Sequence, residues 1–362
     1  MKQHLSISQL AAEIERQQAS KRDLIADTAK VDIYEQPVSP DPDSALDLHM
    51  NIRNGAATPL VAGAALTSFA HGQLAQKLGV PKPFYDRLRE KHPDLLASMS
   101  TELMHREPER RMFRILDGRV RAVVSDRYRR LDNLDLAQAV LPELSGDPSI
   151  NIVSAGITDE RIYIKALFTK IEGRTAVGDV VQSGIVISNS EVGAGALSVS
   201  PLIYTLRCTN GMIAESFGQR KAHVGRQAAL DEAAYELYAD ETLQADDRAF
   251  WLKVRDLVRA ARDEARFRTI LDRLDEAAGR KIAGDVPRVI ELAQKQLGLS
   301  QAEGESVLRH LIEGGDLSQY GLHAAITRAA QEPESYDRAT EMERIGGRVI
   351  ELDSSAWLKL AA

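Results

Sequence analysis

Arginine is the residue type that most clearly offers chemistry in this chain, and it is concentrated in one segment. Between Thr101 and Arg130 there are nine arginines against five acidic residues. The planar guanidinium group donates paired hydrogen bonds to carboxylates and to phosphates. We therefore predict a nucleic-acid-binding surface built from this segment and from later basic residues: Arg111, Arg114, Arg119, Arg121, Arg127, Arg129, Arg130, Lys165, Arg207, Arg220 and Lys221.

The dipeptide Asp117-Gly118 lies between two β-prone arms and predicts a hairpin with a two-residue type I′ turn. A regular register then sets Arg114 directly opposite Arg121, where two like charges repel each other unless an anion lies between them. That anion could be a carboxylate of the chain itself or a phosphate, and the sequence leaves both open. With a phosphate, replacing both arginines by alanine should leave folding nearly intact. The same register predicts one buried face, made by Phe113, Ile115, Val120 and Ala122.

Other reactive patterns are missing from the sequence. No GxxxxGK[ST] or GxGxxG loop joins a strand to a helix, which argues against nucleotide hydrolysis. The eight histidines are scattered, and a single cysteine, Cys208, argues against an internal disulfide or a cysteine zinc site. Cys208 follows Arg207 in an apolar run, where a buried, unreactive thiol is expected. We therefore predict no catalytic residue, no metal and no cofactor.

Composition indicates a folded protein of the cytoplasm. The chain has 362 residues, of which 44% are hydrophobic, enough for a substantial core. It has no apolar run near 18 residues and no charged-then-apolar start, so neither a membrane span nor export is expected. The formal net charge of −7 argues against a wholly basic nucleic-acid coat, but it leaves room for a local basic face.

The elements that would position the arginines follow an α+β pattern. Residues 181–188 and 197–209 are rich in strand formers, and the EVGAG stretch between them supplies turn glycines. Asn210-Gly211 predicts a further tight turn. With strands within 152–169, these make an antiparallel sheet with helices on one side. The expected core residues of the hairpin are Ile185, Ile187, Leu197, Val199, Ile203 and Leu206.

The N-terminal third has the pattern of helices separated by polar loops. Residues 4–29 show helical spacing with Ser8 as a candidate cap, and a proline-bearing linker is expected at residues 36–43. Residues 66–89 predict two helices, the first capped by Thr67 or Ser68 and the second starting near Phe84. An αα-hairpin explains this pair better than a DNA-reading helix-turn-helix. Residues 134–144 predict another short helix.

The C-terminal region is predicted to be mostly helical. Residues 228–247 hold seven acidic residues and no basic one, and residues 248–273 hold eight basic against four acidic residues. In the basic part, Arg255, Arg259, Arg262 and Arg266 share one helix edge, where ion pairs with the preceding acidic segment are the simple expectation. The predicted organisation is an N-terminal helix and loop (1–60), an α+β core (61–227) and a helical region (228–362).

Three stretches together carry a resemblance to a known family: SDRY, at 125–128; RCTNGM, at 207–212; and YGLHAAITR, at 320–328. On these and on AHGQLAQKLGVPKPFYDRLRE, the chain resembles the phage and plasmid family catalogued as domain of unknown function 932. The resemblance implies carriage on a mobile element. The expected hairpin-rich core is also similar to that of phage single-strand-annealing proteins, a likeness at the level of fold only.

The leading functional prediction is a non-enzymatic protein that binds or anneals single-stranded DNA in recombination or replication. Such proteins combine a positive groove with stacking aromatic residues, and aromatic residues are few here, at 5%. One alternative is an interaction module that modulates host defence or replication through the acidic 228–247 segment. Another is a metal-dependent nuclease with a site assembled from distant residues. Single-stranded nucleic acid, host or phage replication and recombination proteins, and further copies of the chain are the expected partners.

Overall fold

The computed structural model describes residues 5–38, 45–53, 59–206, 210–215, 219–221 and 240–361. Within these residues it has twelve α-helices and three antiparallel sheets, with the strands in the N-terminal part and mostly helices after residue 240. This confirms the predicted α+β class. The helices are α1 (Ile7–Ser20), α2 (Ser68–Lys77), α3 (Lys82–Lys91), α4 (Pro93–Arg106), α5 (Asn133–Ser145), α6 (Asp240–Ala260), α7 (Glu264–Gly279), α8 (Val286–Leu297), α9 (Gln301–Gly314), α10 (Gln319–Ala329), α11 (Tyr336–Glu351) and α12 (Ser354–Ala361). The strands are β1 (Arg22–Asp27), β2 (Val31–Pro37), β3 (Leu46–Ile52), β4 (Val61–Ala65), β5 (Arg110–Leu116), β6 (Arg119–Ser125), β7 (Ile150–Ile157), β8 (Ile162–Arg174), β9 (Val180–Asn189), β10 (Leu197–Thr205), β11 (Asn210–Ile213) and β12 (Gln219–Lys221).

Helix α1 begins at Ile7, and its N-cap is Ser6, two residues before the predicted cap. Ser6 and Gln9 form a capping box, in which each side chain accepts a hydrogen bond from the other residue's backbone N–H. The prediction of Ser8 as the cap is therefore wrong, and Ser8 lies inside the helix. The helical pattern predicted for residues 4–29 is also too long, because the helix ends at Ser20 and Leu24 belongs to strand β1.

The first small sheet has the order β1-β5-β6, and the β5–β6 hairpin confirms the predicted turn. Asp117 and Gly118 have φ values of 51° and 75°, the left-handed pair that a type I′ turn requires. Leu24 of β1 and Phe113 and Ile115 of β5 belong to one apolar core that also holds α2, α3 and α4. The hairpin is therefore fixed on one face by this core.

A second small sheet, β2-β3-β4, shares the same core. Its outer strand β2 is covered by α4, whose Thr101 hydroxyl both accepts from Ile33 N and donates to Ile33 O. The 36–43 linker prediction is wrong at its start, since Gln36 and Pro37 are strand residues; residues 39–44 lie outside the described part. Of the first sixty residues, the described ones form three strands besides helix α1, whereas the sequence predicted a helix and a loop.

The largest sheet follows the order β11-β10-β9-β8-β7, and β12 also pairs with β10. The predicted β9–β10 hairpin is confirmed, and the expected core residues are buried except Leu206, which is 40% exposed. The predicted Asn210-Gly211 turn is wrong, because Asn210 pairs with Thr205 and Gly211 with Tyr204 in the β10–β11 ladder. One face of the sheet packs on α1, α5 and α6, and α11 contacts the other.

The C-terminal helices α8 to α12 share an apolar core of their own, and α11 also contacts strand β11. The predicted 248–273 helix is interrupted, and Asp263 caps the start of α7. Gly346 and Gly347 lie inside α11, where close packing requires glycine. A Cβ atom on Gly346 would lie 2.4 Å from Thr327 of α10, and one on Gly347 would lie 2.0 Å from the carbonyl oxygen of Ile213 in β11.

Candidate nucleic-acid interface: the arginine hairpin and its cleft

A β-bulge changes the register that the sequence predicted for the arginines. Leu116 pairs with Arg119 and Ile115 with Val120, as expected, but Arg114 then pairs with Ala122. Arg121 is the extra residue of the bulge and has no partner across the ladder. The prediction that Arg114 faces Arg121 is therefore wrong. Ala122 is buried, as expected, but it packs with Met112 and Val124, not with Phe113 and Ile115.

Arg114 is fully buried and donates to acceptors of the protein itself. Its Nε and Nη2 atoms each donate to the Asp23 carboxylate, at 3.0 Å, and Asp23 is its direct neighbour on β1. Nη2 also donates to Asp132, at 2.8 Å, and Nη1 to the Glu191 carbonyl oxygen, at 2.6 Å. All three nitrogens of the guanidinium group are therefore used inside the protein.

Arg121 and Lys21 complete this buried cluster. Arg121 donates through Nη2 to the Glu191 carboxylate, and Lys21 Nζ lies 2.8 Å from Asp132 and 3.4 Å from Glu191. Three cations thus meet three carboxylates, and the half-exposed Arg130 adds a fourth cation beside Asp23. The sequence left open whether a carboxylate of the chain or a phosphate lies beside these arginines. In the structure, the anions are the protein's own carboxylates. We name Lys21, Asp23, Arg114, Arg121, Asp132 and Glu191 the buried ionic cluster.

The cations of the cluster hold the pKa values of two of its carboxylates, Asp132 and Glu191, below their ordinary values. Burial acts to raise the pKa of Asp132, but Arg114 and Lys21 outweigh it and hold that pKa below its ordinary value. Burial acts in the same direction on Glu191, whose pKa is lowered chiefly by Arg121. The cluster therefore depends on charged carboxylates, and it joins β1, the β5–β6 hairpin, the start of α5 and the loop after β9.

Lys165 is also buried, away from any surface groove. It is 1% exposed, and its Nζ lies 2.6 Å from the Glu343 carboxylate of α11 and 4.8 Å from the centre of the Tyr336 ring. Burial lowers the pKa of Lys165 below its ordinary value, against the pull of Glu343. The expectation that Lys165 extends a surface groove from the hairpin is therefore wrong.

The remaining predicted arginines have varied surroundings. Arg111 pairs with Glu109, and Arg130, about half exposed, has its Nε 3.4 Å from Asp23. Arg127 is exposed, and the Arg129 guanidinium lies 5.8 Å from the centre of the Phe250 ring. Arg207 and Cys208 lie outside the described residues. Arg220 and Lys221 are described only by their backbone in β12.

The late arginines pair with α5 and the turn after it, not with the acidic segment before them. Arg259 donates to Glu143, at 2.6 and 2.8 Å, and Arg262 to Asp147, at 2.9 Å. The expectation of ion pairs with the 228–247 segment is therefore wrong for these two, and residues 228–239 lie outside the described part.

Arg119 differs from its neighbours because its side chain is exposed and has no ion pair with any described residue. It lies on the rim of a cleft of about 790 Å³ between α1, the β5–β6 hairpin and the β7–β8 turn. Arg16 of α1, which also lines the cleft, donates to Asp117 at 2.9 and 3.1 Å and also pairs with Glu13. The cleft is lined by Leu5, Gln9, Ala12, Glu13, Arg16, Gln17, Thr67, Leu116, Asp117, Arg119, Arg121, Gly156, Ile157, Thr158, Asp159 and Tyr336.

A separate buried polar chain fixes α2 and α3 to β3. His71 Nδ1 is 3.0 Å from the Tyr85 hydroxyl, and His71 Nε2 is 3.3 Å from Asp47, which also accepts from Arg89. His71 and Tyr85 are both fully buried. Burial lowers the pKa of His71, so the neutral ring is favoured. The arrangement holds the helices in place.

Sequence reasoning missed the acidic half of the buried cluster. Asp23 and Asp132 are isolated acids in the sequence, and Glu191 was assigned only to a turn. The available signal was the local excess of arginine in a chain with a net charge of −7, which requires acids from elsewhere if the arginines are buried.

No family model matches the sequence, and the searches of curated proteins and of solved structures also returned no significant match. In the described residues, no group of three or more His, Cys, Asp or Glu side chains could hold a metal ion. No helix within those ranges is both long and apolar enough to cross a membrane.

Proposed function

We propose that the protein binds single-stranded nucleic acid at the cleft between α1 and the β5–β6 hairpin. The observation that carries the proposal is Arg119, an exposed arginine on the cleft rim without an ion pair among the described residues. The neighbouring Arg114, Arg121 and Arg16 are each bonded to carboxylates of the protein. Arg119 is thus the guanidinium group available to a phosphate.

The size of the cleft suits a short contact with few phosphates. Its volume of about 790 Å³ lies in the range of roughly 300–1,000 Å³ that is typical of pockets for one small ligand. The cleft lining holds three arginines and three acids, which does not favour a long polyanion along its whole length. We therefore expect a strand to place one or two phosphates near Arg119.

A salt titration of oligonucleotide binding tests this proposal. Log affinity for a labelled oligothymidine should fall against log salt with a slope of about −0.7 for each phosphate neutralised. Arg119→Gln should flatten the slope by about 0.7 and weaken all sequences alike. Arg268→Gln is the matched control, because Arg268 is 76% exposed on α7 and does not line the cleft. Absence of binding by the wild-type protein at low salt would refute the proposal.

From the family resemblance and the likeness to single-strand-annealing proteins, we propose that binding serves the annealing of single strands during recombination or replication of a mobile element. Wild-type protein should then accelerate pairing of two complementary single strands, and Arg119→Gln should reduce that acceleration. If the wild-type protein binds single strands without accelerating their pairing, the binding proposal stands and the annealing proposal is wrong.

A further inference from the structure

The cleft has a buried floor and an exposed rim. Thr67, Arg121 and Tyr336, all lining the cleft, are 4%, 5% and 6% exposed. Arg119 and Asp159, which line the same cleft, are exposed. A ligand would therefore meet Arg119 first and would have to enter the cleft to reach Arg121.

Arg121 has donor capacity that the protein does not use. Among the described residues, only Nη2 of its three guanidinium nitrogens has a hydrogen-bond acceptor, the Glu191 carboxylate. Nε is enclosed by the protein and Nη1 is not, so Nη1 is the unbonded nitrogen that a ligand in the cleft can reach. An arginine on the floor of a cleft whose Nη1 is unbonded and not enclosed can donate to an acceptor that enters the cleft. Arg114, in the same cluster, has acceptors for all three nitrogens.

We infer that Arg119 and Arg121 form a subsite for the terminal phosphate of a nucleic-acid strand, with Asp159 accepting from hydroxyl or amino groups of the terminal nucleotide. This inference rests on the proposed nucleic-acid binding in the same cleft. A terminal phosphate carries a charge of about −1.5 to −2 near neutral pH, whereas an internal phosphodiester carries one negative charge. Two arginines therefore suit the monoester better.

Space and charge also favour a strand end. An internal phosphate has a nucleoside on each side, and both would have to enter a cleft of about 790 Å³ to bring that phosphate to Arg121. A terminal phosphate has a nucleoside on one side only. The balanced lining, with acids on α1, the hairpin tip and the β7–β8 turn, accommodates one concentrated anion beside a neutral sugar and base.

Glu191 is the positioning residue of this subsite. Its carboxylate holds Arg121 Nη2 and accepts from the backbone N–H of Asn133, at 2.8 Å. Because Arg121 belongs to the buried ionic cluster, its replacement would disturb folding. The exposed Arg119 is therefore the variant that tests the subsite.

The experiment compares oligothymidines that carry a 5′-phosphate, a 3′-phosphate or only hydroxyl ends, at constant salt. The wild-type protein should bind one phosphorylated form roughly tenfold more tightly than the hydroxyl form, the effect of about one charge-assisted hydrogen bond. Arg119→Gln should bind all three alike, and Arg268→Gln should keep the preference. Equal binding of all three by wild-type protein would overturn the subsite and leave the proposed function intact.

A second measurement covers the case in which no oligonucleotide binds, which would refute the proposed function. Adenosine 5′-monophosphate should raise the melting temperature of the wild-type protein more than adenosine does, and Arg119→Gln should remove that difference. This outcome would support the phosphate subsite by itself. No difference between the two ligands in wild-type protein would overturn it.

Discussion

Arg114→Met tests whether the hairpin arginines serve the protein's own fold. Methionine has a similar length and no charge, so it removes four hydrogen bonds to Asp23, Asp132 and the Glu191 carbonyl oxygen and opens no large cavity. Among the described residues, Asp23 then keeps only the Arg130 contact of 3.4 Å, and Asp132 keeps Lys21 at 2.8 Å. Removing one partner of a buried ionic group typically costs about 3–5 kcal/mol.

The assay is equilibrium urea unfolding at neutral pH, with the free energy of unfolding extrapolated to water. Arg268→Met is the control, because its 76%-exposed side chain makes only a surface ion pair worth about 0–1 kcal/mol. Adding Asp23→Leu to Arg114→Met should recover part of the loss, since both members of a buried cross-strand pair are then apolar. A loss below about 1 kcal/mol in Arg114→Met would refute the reasoning.

Three further changes have expected outcomes. Gly118→Val should destabilise the hairpin by about 1 kcal/mol or more in urea unfolding, because φ is 75° at this position and a β-branched residue is strained there. A Cβ atom at Gly118 would have no atom of the described residues within 4 Å, so the loss comes from backbone strain and not from a clash. An unchanged stability would contradict this. Burial lowers the pKa of His323 from 6.5 to about 4, so the unfolded state binds more protons and about 3 kcal/mol of stability should be lost as pH falls through that window. His323→Gln should flatten this pH dependence and exposed His92→Gln should not; equal slopes would refute it. Lys165→Met should cost about 3–5 kcal/mol by leaving Glu343 buried and unpaired, and wild-type stability would rule that out.

The sequence was sufficient to predict the local structures that neighbouring residues determine. Asp117-Gly118 predicted the turn because only certain residues tolerate two consecutive positive φ values. The α1 cap could have been found as well, since Ser6 and Gln9 have the spacing of a capping box. The Asn210-Gly211 turn failed because the same dipeptide also fits a strand when its ladder partners are supplied by β10.

The arginine register could not be predicted because distant residues determine it. Glu191 lies 70 residues from Arg121, and Asp23 lies 91 residues from Arg114. The bulge at Arg121 is compatible with pairing to Glu191 while Arg114 keeps Asp23 beside it. The hairpin sequence alone predicted a regular ladder, in which Arg114 and Arg121 would lie opposite each other and repel. Arg119 pairs with Leu116, as a regular type I′ hairpin requires, because the adjacent turn fixes its position.

The location of binding is tested most directly by backbone amide hydrogen exchange, measured with and without a 5′-phosphorylated oligothymidine at low salt. We predict slower exchange in residues 116–121 and 156–159, two segments that contribute to the cleft lining, and weaker protection of these segments in Arg119→Gln at the same oligonucleotide concentration. Unchanged exchange in both segments of the wild-type protein, or protection confined to other parts of the chain, would contradict binding at this cleft.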